Sequence, residues 1–414
     1  MSRVGPGLLA LAALALPAAL GGCGAVGVST AVTTPGNELT VYSSLPLQGP
    51  AAAASRQIVN GEKLALAEIG GRVGRFKIDY ASLDDSNPRT GEWSPGITST
   101  NARIAVQDTG TIAFLGDLDS AASAVSLSFT NGAGILQVSP ASPYVGLTSS
   151  RDAGQDEPDR FYFTGQRTFV RLQPGDPVQA AAQVKLMRAL HVKRAYVIYD
   201  QDPFDAPLAA ILAEDAKRAG IDILGEDQID TTAGTEFAGE VQKVLESGAR
   251  AVFFNGLPNA GAVALWRQLH AADPHLRLLG SSSLARGSFA GRIGAAAHLT
   301  YLASPLLPLS LYPPEAQRVL AEYSQRFHRR PGAYALYGYE AMSAVLLAIR
   351  RAGRHGDDRQ TVIRKFFALR DRDAVLGRYS VLPTGDTTLS YYAIDRVRGG
   401  RLVFYRALAL ASPR

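Results

Sequence analysis

Residues 194–225 read RAYVIYDQDPFDAPLAAILAEDAKRAGIDILG, and the period of their hydrophobic pattern changes twice. Arg194–Tyr199 is β-branched and aromatic and apolar on consecutive positions, as a strand buried on both faces must be. Leu208, Ile211, Leu212, Ala216 and Ala219 then recur at helical spacing, and Gly220 supplies a stop. Ile221–Gly225 returns to strand character. Strand, helix and strand in succession make a βαβ unit, which implies parallel strands covered by helices.

The same alternation extends outward in both directions. Strands are expected at Leu39–Ser43, Phe76–Ala81, Thr111–Leu115, Gly134–Val138, Ala249–Phe254 and Leu276–Leu279. Helical patterns fall between them, among them Ile58 to Ile69 and Val178 to Leu190. The rhythm runs twice, with the first set ending near 165 and the second near 300, so two α/β lobes of similar size are expected. Pro305, Pro308, Pro313 and Pro314 then break the chain before long helices at about 314–328 and 336–351. Leu389–Asp395, Gly399-Gly400 and Leu402–Tyr405 read as a closing hairpin.

Composition agrees with a folded chain of this size. The 414 residues are 46% hydrophobic and 19% charged, far from the profile of disordered chains. The 42 Lys and Arg against 37 Asp and Glu leave a net charge of +5, spread along the chain. That is not the concentrated stripe that tracks a phosphate backbone, so no nucleic-acid partner is expected.

The single cysteine forbids an internal disulfide and any multi-cysteine metal site. It is Cys23, and it follows Arg3, an apolar run from Leu8 to Leu20, and Gly21-Gly22. Residues 1–22 have the layout of a signal peptide. The apolar run spans roughly 20 Å as a helix, short of the ~30 Å hydrocarbon core of a bilayer. Leu20-Gly21-Gly22-Cys23 resembles the lipobox of bacterial lipoproteins, which implies a diacylglycerol on Cys23. Residues 23–37 are then a lipid-anchored linker before the fold. Gly22 to Gly27 also matches G-x-G-x-x-G, but no strand precedes it and no helix follows, so it is not a dinucleotide site.

An ordered series of short motifs carries a wider resemblance. It runs from Ser44-Leu45-Pro46-Leu47-Gln48-Gly49-Pro50 through Asn60-Gly61, Leu83-Asp84-Asp85-Ser86 and Ile112-Ala113-Phe114-Leu115-Gly116 with Ser120. It continues with Gly134 to Ser142, Ala195–Asp200, Tyr337-Gly338-Tyr339-Glu340-Ala341, Gly377-Arg378-Tyr379 and Gly385-Asp386. This string, over about 39–407, resembles the solute-binding receptors of branched-chain amino acid ABC importers, the type I periplasmic binding protein fold. Asn131–Thr148 is similar to a lipoprotein branch of that family.

The resemblance implies two doubly wound parallel-sheet lobes joined by three crossover segments near 165–172, 303–308 and 373–380, closing on a small ligand. The N-terminal lobe is expected over 38–168 plus 304–376 and the C-terminal lobe over 169–303 plus 377–414. It further implies an extracytoplasmic lipoprotein, held at the cell membrane by its lipid, that captures an amino acid or related small polar solute for ABC permease subunits. No catalysis, cofactor or metal is implied. A ligand-sensing receptor of the same fold, uncoupled from transport, is the alternative.

The candidate ligand residues lie beyond strand ends, where helix N-termini present N–H groups. Ser120 matches the serine that binds the amino acid's carboxylate in the family, and its hydroxyl can also cap a helix. Ala141 matches a position whose backbone meets the ligand, and Ser142 is its neighbour. Pro143 stands where the family usually has a hydroxyl residue. Phe204 matches an aromatic wall, and Leu257 lies in a turn that lacks the family's tyrosine. Ser282 stands where amino-acid binders place an acid for the α-ammonium. A desolvated ammonium without a charged partner costs several kcal/mol, more than one neutral hydrogen bond of about 1 kcal/mol returns. Binding of a free α-amino acid in the family's manner is therefore disfavoured. Asp117, Asp119, Asp202 or Asp205 could supply the missing charge, or could be ordinary solvated or helix-start carboxylates. Trp93 reads either as a loop aromatic reaching the cleft or as simple packing.

Enzyme signatures are absent: there is no G-x-S-x-G elbow, H-E-x-x-H helix or P-loop lysine motif. The six histidines are scattered without metal-ligand spacing.

Overall fold

The computed structural model describes Met1 and residues 33–410, and residues 33–410 form one compact unit. Cys23, the expected signal peptide and most of the expected linker lie outside the described residues.

Two sheets organise this unit. The first contains β1 (Glu38–Leu45), β2 (Arg72–Val73), β3 (Phe76–Asp84), β4 (Thr111–Leu115), β5 (Leu136–Ser139) and β6 (Phe169–Arg171), in the order β2-β3-β1-β4-β5-β6. All of its pairings are parallel except that of the short β2 with β3. The second contains β7 (Arg194–Asp200), β8 (Asp222–Ile229), β9 (Ala251–Asn255), β10 (Arg277–Gly280), β11 (Thr300–Ser304), β12 (Tyr391–Arg398) and β13 (Arg401–Ala409). Its order is β13-β12-β11-β10-β9-β7-β8, and only the β11–β12 and β12–β13 pairings are antiparallel.

Strands that are apolar on consecutive positions do have a core on each face. Val197, Phe253 and Leu279 pack on one side of the second sheet with Leu186 of α4 (Asp176–Ala189) and Leu208 and Leu212 of α5 (Ala206–Arg218). Ile198, Phe254 and Leu278 pack on the other with Val244 of α6 (Ala238–Ser247), Trp266 and Leu269 of α7 (Ala260–Ala272), and Phe289 of α8 (Gly287–Ala290). The first sheet is covered by α1 (Ala52–Glu68), α2 (Pro95–Gln107), α3 (Ser120–Gly132), α9 (Pro314–Phe327), α10 (Tyr334–Ala352) and α11 (Arg359–Phe367).

Helices α9 to α11 follow β11 of the second sheet but pack on the first, and β12 and β13 return to the second. Each lobe is therefore discontinuous, and the chain crosses three times. The β5–β6 pairing places the first crossing after Arg171, a few residues beyond the expected limit at 168. Tyr379, Val381 and Leu389 join the first lobe's core, so the third crossing falls later than the expected limit at 376.

Helix α10 shows how small residues set this architecture. It is buried nearly all round, and its Gly338 lies so close to α1 that an added Cβ would sit 2.1 Å from the Ile58 carbonyl oxygen. Gly61 of α1 faces α10 in the same way, 2.1 Å from the Ala335 carbonyl oxygen. The paired glycines let the two backbones touch, which holds the N-terminus of α10 at the mouth of the cleft.

Hydrogen bonds tie the crossings to one another. Arg171 donates from Nε to Asp386 Oδ1 at 2.6 Å, joining the first and third. Tyr392 donates to the Pro174 carbonyl at 3.1 Å, and Tyr337 of α10 to the Pro305 carbonyl of the second crossing at 3.0 Å.

Candidate functional site

Parallel strands end together, so the loops beyond their carboxyl ends gather in one place. Here the ends of both sheets meet across a cavity of about 190 Å³ lined by residues of both lobes. The first lobe contributes Trp93, Asp119, Ser120, Ala141, Pro143 and Tyr144. Phe204, Asp205, Asn255, Leu257, Ser282 and Arg286 face them from the second. Gln173, Asp176 and Pro305 enter from the crossings, and Tyr334 from the start of α10.

Six of the seven residues expected at a ligand site line this cavity: Ser120, Ala141, Phe204, Leu257, Ser282 and Trp93. Ser142 does not. It takes a left-handed conformation with φ +57°, which turns its side chain down into the protein. There its hydroxyl pairs with that of Ser123 at 2.8 Å and donates to the Asp117 carbonyl at 3.2 Å. Its backbone carbonyl accepts from Arg171 Nη1 at 2.9 Å. Ser142 thus belongs to the buried floor, and Pro143 after it reaches the cavity.

The expected double role of Ser120 takes an unexpected form. Its Oγ accepts from the Tyr144 N–H at 3.2 Å, which fixes the loop after β5 to the start of α3 and leaves the hydroxyl proton free to donate. Ser282 is held by its own N–H, which donates to Gln179 Oε1 at 2.6 Å. Phe204 stands edge-on to Tyr144 of the other lobe, with ring centroids 4.8 Å apart at 71°. The aromatic wall is therefore continuous across the cleft.

Three helices, α3, α4 and α5, begin at the cavity, and each carries an aspartate at its start. Asp119 and Asp205 occupy the N-cap positions of α3 and α5, yet neither side chain caps its helix. Burial first, and then the charges of Asp202, Asp200 and Asp176, push the Asp205 carboxyl up to about 8. Asp176 is 4% exposed. Burial raises its carboxyl to about 7, against the pull of Arg171 and the hydrogen bond from the Val145 N–H. Asp119 is also raised by burial, with Arg286 of the opposite lobe drawing it back. Among the described residues, Arg286 is the one cation lining the cavity, and it faces four aspartates, counting Asp202.

The sequence reading passed over Asp176, Gln179, Asn255, Arg286, Tyr334 and Tyr144. Asn255 ends a strand and Asp176 starts a helix after Gly175, so the strand-end rule reaches both. Arg286 stands six residues beyond the end of β10, and Tyr334 starts a helix that the second crossing returns to the first lobe, so no strand end directly before them marks either. Among the described residues, no group of three or more His, Cys, Asp and Glu could hold a metal ion, and no helix is long and apolar enough to cross a membrane.

Comparison with known proteins bears on what such a cavity does. Residues 42–401 match the family model described as periplasmic binding protein. The chain belongs to the periplasmic binding protein family. Periplasmic binding proteins bind solutes outside the cytoplasm and are not enzymes. The Leu/Ile/Val-binding protein BraC3 of Rhizobium johnstonii is 23% identical over 371 residues, 88% of this chain and 93% of that protein. The leucine-binding protein LivK of Thermotoga maritima superposes with a TM-score of 0.73 at 18% identity, over 90% of this chain and 99% of that one. An ABC transporter solute-binding protein of R. palustris, solved with benzoate, gives 0.68 at 16% identity, over 91% and 97%. These two structures share the fold of this periplasmic binding protein.

Proposed function

We propose that this chain is the extracytoplasmic receptor of an ABC importer, capturing one small solute between its lobes and handing it to a permease. The observation that carries the reading is the cavity at the carboxyl ends of both sheets, walled by both lobes and by the crossings that join them. A ligand that touches both lobes stabilises the closed arrangement, and the closed arrangement is what a permease can recognise. In this reading Ser120 and the backbone at Ala141 hold a polar group of the solute. Trp93, Phe204 and Leu257 enclose its apolar body, and Ser282 contributes a neutral contact. The lobes that move are 38–168 with 304–376 and 169–303 with 377–414, the first crossing falling a few residues later and the third just before β12.

A lipid on Cys23 would keep the receptor at the outer face of the membrane, since the Leu20-Gly21-Gly22-Cys23 motif stands at the end of the apolar run, ahead of the linker and the fold. Mass spectrometry of the mature N-terminus is expected to find a diacylglycerol thioether on Cys23, and an unmodified Cys23 would contradict the anchor. The binding reading is tested by a thermal-shift screen of the purified protein against amino acids, amides, short peptides and aromatic acids. A solute that binds only the folded state raises the melting temperature. Conversion of a solute into product by the protein would overturn the reading.

A further inference from the structure

The similar proteins are a Leu/Ile/Val-binding protein and a receptor solved with benzoate, but the charges lining this cavity suit neither carboxylate well. Asp119 is the immediate neighbour of Ser120, so a ligand carboxylate on the Ser120 hydroxyl would lie beside a second carboxylate. Arg286, the one cation of the lining among the described residues, already acts on Asp119.

On the other wall stand Asp176 and Asp205, with Asp202 next to them. Asp176 is 4% exposed and lines the cavity; one carboxylate oxygen accepts from the Val145 N–H at 3.1 Å, and the other has no hydrogen bond among the described residues. Asp205 uses its backbone carbonyl to hold Asn255 Nδ2 at 2.9 Å, while its carboxylate engages no hydrogen bond among the described residues. The remaining charged groups facing this pair are Arg171, Asp386 and Asp200. Arg171 is paired with Asp386 at 2.6 Å, and its pull on Asp176 still leaves that carboxyl raised by burial, so it balances the aspartates of the wall only in part.

Building on the reading of the cavity as a solute site, we propose that its ligand is a small organic cation. An ammonium nitrogen sits between Asp176 and Asp205, and an apolar or aromatic body lies against Phe204 and Trp93. The acid missing at Ser282 is thereby replaced by carboxylates at the starts of α4 and α5, and the ligand needs no carboxylate of its own. A buried carboxylate without a counter-charge is costly, and an ammonium ion removes that cost where a neutral or anionic solute adds to it. Because Asp176 and Asp205 hold protons near neutrality in the empty site, a cation displaces them, and its binding releases protons into the buffer.

The test is calorimetric titration of the purified protein with tyramine and putrescine, and with leucine and benzoate, at pH 7.5 in two buffers of different ionisation heat. At least one amine is expected to bind one per chain, at least tenfold tighter than either carboxylate, with net proton release. Asp205→Asn, whose side chain holds nothing in the fold, is expected to weaken that amine tenfold or more while leaving the melting temperature of the empty protein unlowered. Leucine or benzoate binding tenfold tighter than both amines would overturn the cationic ligand and leave the receptor standing. Amine affinity unchanged in both Asp205→Asn and Asp176→Asn would overturn the proposed socket. If neither amine binds, the cationic class is rejected, and the receptor reading is then judged separately by the wider solute screen.

Discussion

Replacing Arg171 by alanine should be among the most damaging single changes in this protein. The side chain is 1% exposed, and its guanidinium serves four acceptors at once. Nε donates to Asp386 at 2.6 Å, Nη1 to the carbonyls of Ser142 at 2.9 Å and Tyr144 at 2.6 Å, and Nη2 to Thr148 Oγ1. Alanine leaves two buried carbonyls without this donor and Asp386 without its ion pair. Removing one partner from a buried pair of this kind costs about 3–5 kcal/mol, a large share of the ~5–15 kcal/mol that holds a typical domain together. Arg171→Lys keeps a charge but not the planar fan of donors, so it should fall between alanine and the parent.

A second signature follows from Asp176, whose carboxyl Arg171 pulls down towards its ordinary range. A carboxyl that titrates at about 7 in the fold and near 3.8 when unfolded binds more protons folded than unfolded, so its contribution to stability falls as pH rises through that interval. Without Arg171 the folded value moves higher and the fall continues further. The deficit of the alanine variant should therefore be larger at pH 8.5 than at pH 5.5. Urea unfolding at both pH values measures both effects. A loss below about 1 kcal/mol, or a deficit that shrinks with rising pH, would refute the reasoning.

Three further outcomes are expected. Gly338→Ala should cost about 1–3 kcal/mol by forcing α10 off α1, and should weaken solute binding because Tyr334 at the start of α10 lines the cavity; denaturation and titration check the two parts. Glu62 is fully buried, and burial raises it to about 7 against the hydrogen bond from Tyr80 and the charge of Lys63. The protein should therefore lose about 3 kcal/mol as pH climbs from 4.5 through 7, and Glu62→Gln should remove most of that slope in urea unfolding at stepped pH. Phe204→Ala should leave folding intact to within about 2 kcal/mol while lowering solute affinity, since it removes one ring of the Tyr144 pair and a wall of the cavity; unchanged affinity by calorimetry would take Phe204 out of the site.

The fold was largely legible because its strands have cores on both faces, which writes consecutive apolar residues into Arg194–Asp200 and Ala251–Asn255. Strand ends were less so. Gly134, expected to open a strand, has φ +63° and closes the turn after α3, so β5 begins at Leu136. β11 (Thr300–Ser304) has the same apolar character as its neighbours but lies where the prolines after 304 suggested a break. In the site, residues directly after strands were found because parallel topology places them. Ser142 was misplaced because one left-handed residue reverses a side chain, and sequence spacing does not encode that. The carboxylates of Asp176 and Asp205 gain their character only from burial and from one another, across separate helices.

The central claim, a receptor that holds one solute between two lobes, meets its most direct test in small-angle scattering of the purified protein titrated with the tightest solute from the screen. The account predicts saturation at one solute per chain, a smaller radius of gyration at saturation, and recovery of the solute chemically unchanged. A saturated protein with unaltered dimensions, or a solute recovered as product, would contradict it.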